Sequence, residues 1–255
     1  MLNLFFRKYG EQNPPIVILH GLFGMSDNWH NIAKRLSENF TVYTLDLRNH
    51  GNSPHTFEMN FKLMAEDVNN FIENENIGKI YLIGHSLGGK VCMMFANLFP
   101  QKILKMIVVD ISPKQYSASH YKYINAMKEI NYNSKSRIEI EENLSKKITN
   151  RSELLFILKN LIRTETNNFA LKINLDSIEK NYENLIAAID FIEKIKIPVL
   201  FLKGEFSNYI NSDDEIMINN YFLNAQIKTI KNAEHWIHAD NPNDFLSETN
   251  SFFKN

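Results

Sequence analysis

Short apolar runs alternate along the chain with longer stretches in which apolar residues recur every three to four positions. The runs Leu2–Phe6, Ile16–His20, Thr41–Asp46, Lys79–Gly84, Lys105–Asp110, Pro198–Lys203 and Gln226–Ile230 are mostly β-branched or aromatic and read as strands. Ile16-Val17-Ile18-Leu19 and Ile107-Val108-Val109 are continuously apolar, as strands covered on both faces are. Helical periodicity fills the intervals at roughly 27–38, 62–75, 87–98, 213–222 and 242–253. Strands alternating with helices in this way predict a mostly parallel, doubly wound α/β sheet.

The alternation stops between Ile111 and Ile195. That span holds no convincing strand but several amphipathic segments, among them Ser152–Arg163 with Ser152 as its cap residue. The expected organisation is a core of residues 1–112 and 194–255 interrupted by an all-helical insertion, 113–193, lying as a cap over the carboxyl end of the sheet. Ligands of open α/β sheets bind at that end, so the insertion is expected to shape a substrate pocket.

Composition narrows the function. The 255 residues are 44% apolar and 22% charged, which is ordinary for a globular chain of one or two domains. With 28 basic and 29 acidic residues the net charge is −1, so the broad basic footprint of a nucleic-acid binder is missing. The single cysteine, Cys92, excludes an intramolecular disulfide and a cysteine-rich metal site; in Val91-Cys92-Met93-Met94-Phe95 it reads as a buried, inert thiol. Met1–Lys8 is too short an apolar run for a signal peptide, and no stretch approaches the ~18 apolar residues of a membrane span. A cytoplasmic location is the expectation.

The strongest chemical signal is Gly84-His85-Ser86-Leu87-Gly88, a G-x-S-x-G between a strand and a helix. A serine hydroxyl is a weak nucleophile and must stand clear of the backbone, and small residues two before and two after it permit the tight turn. The Leu87 amide then opens the helix and points at an oxygen that becomes negative during acyl transfer. His20-Gly21-Leu22-Phe23-Gly24, after the strand at Ile16, can present a second amide, with Leu22 the first choice and Phe23 the second. His20 itself reads as structural. The base is sought after the serine in chain order: His235, behind the last strand, is preferred over His238, which reads as a packing residue, and over His120 in the insertion, which reads as surface or pocket lining.

Taken together, H-G-L-F-G, Asp46-Leu47-Arg48-Asn49-His50-Gly51-Asn52-Ser53, G-H-S-L-G-G and His235-Trp236 resemble α/β-hydrolase-fold enzymes, closest to the small YbfF-type acyl esterases and their abhydrolase relatives. The resemblance spans essentially the whole chain. It implies a Ser–His–acid triad, hydrolysis of acyl esters or thioesters by way of an acyl-enzyme, a small-molecule substrate, no cofactor and no metal. Many members carry the acid in a Gly-x-x-Asp turn after the strand here at Pro198, but this chain has Gly204-Glu205-Phe206-Ser207. The other site known in this fold is the end of the preceding strand, occupied by Asp110, 24 residues past Ser86. Asp110 is the preferred acid; Asp213, Asp214 and Asp176 stay open. The Asp46–Ser53 segment reads as a structural tie. Glu234 and Asn49 stand where relatives usually carry glycine. Trp236 and unassigned residues of the insertion are candidates for lining the substrate pocket. Dehalogenase or epoxide hydrolase chemistry would need a carboxylate at position 86. Carbon–carbon bond hydrolysis by the same triad, or a non-catalytic ligand-binding role, remain as alternatives.

Overall fold

The computed structural model describes residues 1–134 and 136–254. The strands β1 (Phe6–Tyr9), β2 (Pro15–Leu19), β3 (Thr41–Leu45), β4 (Ile80–His85) and β5 (Ile103–Val109) come first, with helices α1 (His30–Leu36), α2 (Phe61–Asn74) and α3 (Leu87–Leu98) between them. Next follow α4 (Tyr121–Lys128), α5 (Arg137–Ser145), α6 (Arg151–Leu158), the short strands β6 (Leu161–Arg163) and β7 (Phe169–Leu171), α7 (Leu175–Lys180) and α8 (Tyr182–Ile186). The chain then returns to the sheet through β8 (Val199–Gly204), α9 (Ser212–Tyr221), β9 (Ala225–Ile230), α10 (Ile237–Asp240) and α11 (Pro242–Lys254).

The seven-stranded sheet runs β1-β3-β2-β4-β5-β8-β9, parallel throughout except for the antiparallel edge strand β1. Alternation explains the continuous apolar runs. Ile16 and Ile18, Ile107 and Val109, and Leu200 and Leu202 pack beneath α1 and α11 with Trp29, Leu36 and Phe245. Val17 and Leu19, Val108, and Val199 and Phe201 face the opposite side, under Val91 and Phe95 of α3. Burying both faces of each strand is worth on the order of 2 kcal/mol per large aliphatic side chain. Among the described residues no helix is long and apolar enough to cross a membrane.

Two expectations need correction. The first strand begins at Phe6 rather than Leu2, because the Leu2 amide is drawn off to the Asp67 carboxylate on α2 (2.8 Å). The insertion is also not all helical. Its helix 151–158 is capped by Asn150, whose side-chain oxygen accepts from the amides of Ser152 and Glu153 (2.9 and 3.2 Å), so Ser152 is not the cap. The helix stops at Leu158, and Leu161–Arg163 pairs with Phe169–Leu171 as an antiparallel hairpin. Asn160 sets the break: its side chain donates to the Phe23 carbonyl of the sheet end (2.8 Å), a contact that pins the chain where the helix leaves off.

The insertion is fastened to the rest of the fold by buried polar contacts. Asn49 accepts on its carbonyl from the Asn174 amide (2.9 Å) and donates from its side chain to Ser177 Oγ (3.0 Å). Lys90 Nζ, wholly buried in α3, donates to the carbonyls of Pro113 (3.0 Å), Lys114 and Ala187 (2.9 Å), so one ammonium holds both the entry and the exit of the insertion.

Candidate active site

Ser86 occupies the turn between β4 and α3 with φ 51° and ψ −116°. Seven described non-glycine residues have positive φ, and four of them are asparagines, which tolerate that region. The other three are Phe23, Ser86 and Asp110, all just past the carboxyl ends of sheet strands. At Phe23 and Ser86, which lack the short carboxyl or amide side chain that tolerates the region, such strain costs on the order of 1–3 kcal/mol per residue and collects at functional sites. The glycines of the motif are sterically required: a Cβ on Gly84 would lie 2.3 Å from the Gly88 carbonyl, and one on Gly88 would lie 2.4 Å from that of Leu19.

His235, in the loop between β9 and α10, places Nδ1 2.8 Å from Asp110 Oδ2. Asp110 stands at the end of β5, fully buried, and its other oxygen accepts from the Gly204 amide (3.1 Å). Ser207 Oγ donates to the same Oδ2 that receives His235. The turn after β8 therefore supplies a hydroxyl that steadies the Asp110 carboxylate. A buried carboxylate beside Nδ1 keeps the ring proton there and leaves Nε2 free to accept. The ring is stacked on Tyr209, with centroids 3.8 Å apart at 15°, and His85 Nε2 bonds the His235 carbonyl (2.8 Å).

The alternative acids lie elsewhere. Asp176 and Asp213 are exposed in the first turns of α7 and α9. Asp214 caps α9 with Asn211 and pairs with Lys114 Nζ at 2.6 Å. Asp46 is a tie, accepting from the amides of Ser26 (2.6 Å) and Asn52 (2.8 Å), while Arg48 pairs with Asp67 (2.7 Å). Asn49 takes the glycine position at φ 64°.

Burial lowers the pKa of five other histidines, His85 among them. His20 Nε2 accepts from the Leu47 amide (3.0 Å) and its Nδ1 donates to the Gly21 carbonyl (2.8 Å); burial lowers its pKa. His50 Nδ1 donates to the Arg48 carbonyl (2.9 Å) and Nε2 accepts from the Phe23 amide (3.2 Å). Burial, reinforced by His20, brings His50 down to about 3. His238 lies flat against Trp29 (3.9 Å, 13°), and burial followed by the nearby His235 brings it to about 3 as well. Burial, again followed by His235, lowers His120 to about 4.

This arrangement separates the two candidate oxyanion donors of the first loop. The Phe23 amide is engaged by His50, whereas Leu22 lines the cavity in front of Ser86. Leu87 opens α3, where an amide has no acceptor within its own helix. Two connected cavities of about 560 and 170 Å³ meet at Ser86, sharing Leu22, His120, Tyr123, Glu153 and Tyr209. The smaller holds His235 and Trp236, whose indole packs on Phe156 of α6 (5.3 Å). Ile111, Leu185 and Ile186 give the larger an apolar wall. Among the described residues no group of three or more His, Cys, Asp or Glu side chains is placed to hold a metal ion. Sequence reasoning passed over Tyr209, His85 and Lys90. Of these only Lys90 carried a signal, a charge inside the apolar stretch Gly88-Gly89-Lys90-Val91-Cys92.

A mostly parallel sheet with a serine on the strand–helix elbow, a carboxylate at the end of the next strand and a histidine behind the last one, is the plan of an α/β hydrolase. Residues 14–242 match the family described as the α/β hydrolase fold, and the chain belongs to it. The sn-1-specific diacylglycerol lipase ABHD11 of Danio rerio is 41% identical over 249 residues, covering 94% of this chain and 78% of the relative. Esterase YbfF of Escherichia coli K12 is 30% identical over 243 residues, 92% of this chain and 91% of that one. A marine microorganism esterase of known structure superposes with a TM-score of 0.97 at 45% identity, over 99% of this chain and 100% of its own.

Proposed function

We propose that this chain hydrolyses carboxylic esters and thioesters through an acyl-enzyme on Ser86, with His235 as the proton carrier and Asp110 as the acid that orients it. The observation that carries the reading is the junction of a strained serine with a carboxylate-bound histidine at one cavity. Relatives named as an esterase and a lipase, at 30% and 41% identity, support it.

In the reaction, Ser86 Oγ attacks the carbonyl carbon as His235 Nε2 takes its proton. The carbonyl oxygen becomes an oxyanion between the amides of Leu22 and Leu87, a contribution of about 3 kcal/mol per donor. As the intermediate collapses, His235 returns the proton to the departing oxygen or sulfur, leaving Ser86 acylated. Water, deprotonated by His235, then attacks the acyl carbon and releases the acid and the free serine. Asp110 holds the ring tautomer and stabilises the imidazolium formed in each half-reaction. The insertion, residues 113–193, acts as the cap that shapes the pocket, with Trp236 forming part of its wall.

The test is pre-steady-state release of p-nitrophenol from p-nitrophenyl butyrate. The expected result is a burst approaching one equivalent per chain, abolished in Ser86→Ala. A protein that turned over neither this ester nor an acyl thioester would be a binding protein, and the reading would fall.

A further inference from the structure

His120, just ahead of α4, faces both cavities where they meet over Ser86. Its hydrogen-bonding role is fixed from behind. The His120 amide donates to Tyr182 Oη (2.9 Å), and His120 Nδ1 lies 2.7 Å from the same oxygen. Tyr182 is fully buried, and were Nδ1 the donor its hydroxyl proton would have no acceptor among the described residues. The hydroxyl therefore donates to Nδ1, and the ring proton of neutral His120 sits on Nε2. Ring contacts with Phe23 and Tyr123, centroids 6.1 Å away in each case, flank the imidazole. Among the described residues nothing accepts from Nε2, so a directed donor faces the space a substrate enters.

Which part of the substrate it meets follows from the chemistry proposed above. His235 must reach the leaving atom to protonate it, so the leaving group belongs in the smaller cavity that His235 lines, and the acyl group in the larger. His120 lines that smaller cavity together with His235, so both rings border the space assigned to the leaving group. We propose that His120 Nε2–H is a specificity-determining donor to the alcohol portion of the substrate, selecting esters whose alcohol carries an ether or hydroxyl oxygen near the scissile bond. An alkyl alcohol of the same length would bury this donor without a partner, an arrangement that sites built for hydrogen bonding discriminate against strongly.

The inference rests on the ester-hydrolase reading, and the test separates the two. The measurement is kcat/KM for 2-methoxyethyl butyrate against n-butyl butyrate, which differ by one oxygen for one methylene. The expected wild-type preference for the methoxyethyl ester is about tenfold or more. His120→Phe should bring the ratio towards one, and His120→Gln, whose amide nitrogen reproduces Nε2, should keep most of it. Tyr182→Phe frees the tautomer and should lower the ratio, and it decides the matter if His120→Phe does not fold. An unchanged ratio in His120→Phe, or in Tyr182→Phe in its place, would overturn the inference, as would a wild type without preference. Either result leaves ester hydrolysis standing, whereas failure to turn over any ester, p-nitrophenyl butyrate included, removes the reading beneath it.

Discussion

His235 Nδ1 and Asp110 Oδ2 are 2.8 Å apart although 125 positions separate them in the chain. The end of β5 and the loop behind β9 meet across β8, whose own turn contributes the Gly204 amide and the Ser207 hydroxyl to the same carboxylate. Asp110→Asn should therefore lower kcat by about 10²–10⁴, since the amide permits the wrong ring tautomer. Ser207→Ala should cost roughly tenfold, the scale of one lost hydrogen bond to a charged group. Asp176→Asn and Asp213→Asn, both far into solvent, should leave kcat within about twofold. Steady-state kinetics on one aryl ester ranks all four variants.

The elbow at Ser86 was legible because its determinants are local: an apolar strand, two glycines that admit no Cβ, and a helix directly behind. Asp110 was legible only as a residue at a strand end, because what distinguishes it from Asp213 or Asp214 is the order of strands in space. That the Phe23 amide is engaged likewise depends on a distant partner, His50, which lies 27 residues away in sequence. The β6–β7 hairpin escaped notice since three-residue strands are too short to show alternation, and Leu161 continues the apolar periodicity of α6. Tyr209, stacked on His235, has no local signature at all.

His238 and His235 differ by three positions and should differ completely in consequence. His238 is packed face to face on Trp29 beneath the site, while His235 borders the cavity. His235→Ala is expected to abolish turnover. His238→Phe, which preserves the stack, should retain most of it. Comparable losses in both would contradict this division of roles.

Several buried histidines make the fold sensitive to acid. His50 and His238 are depressed to about 3 and His120 to about 4, all below the ordinary 6.5. The unfolded chain takes up protons as pH falls through 6.5 while these rings stay neutral in the fold. Their stability contribution is fully present above that pH and is lost towards the folded-state values. At pH 5 each such ring forfeits about 2 kcal/mol. Urea denaturation at pH 7.5 and 5.0 should show unfolding free energy falling by several kcal/mol; equal values would contradict the assignment of neutral buried rings.

Lys90→Met keeps the apolar stem but strips the three carbonyls of Pro113, Lys114 and Ala187 of their donor. A loss of at least about 2 kcal/mol in stability is expected, together with faster proteolysis within 113–193 than in the core. Uniform protection along the chain would show that the insertion is held by other contacts.

Ser86 is proposed to form the covalent intermediate. The most direct test is peptide mass spectrometry after reaction with a fluorophosphonate. One adduct per chain is expected, on Ser86, abolished in Ser86→Ala and strongly slowed in His235→Ala. An adduct on any other residue, or undiminished ester turnover by Ser86→Ala, would contradict this.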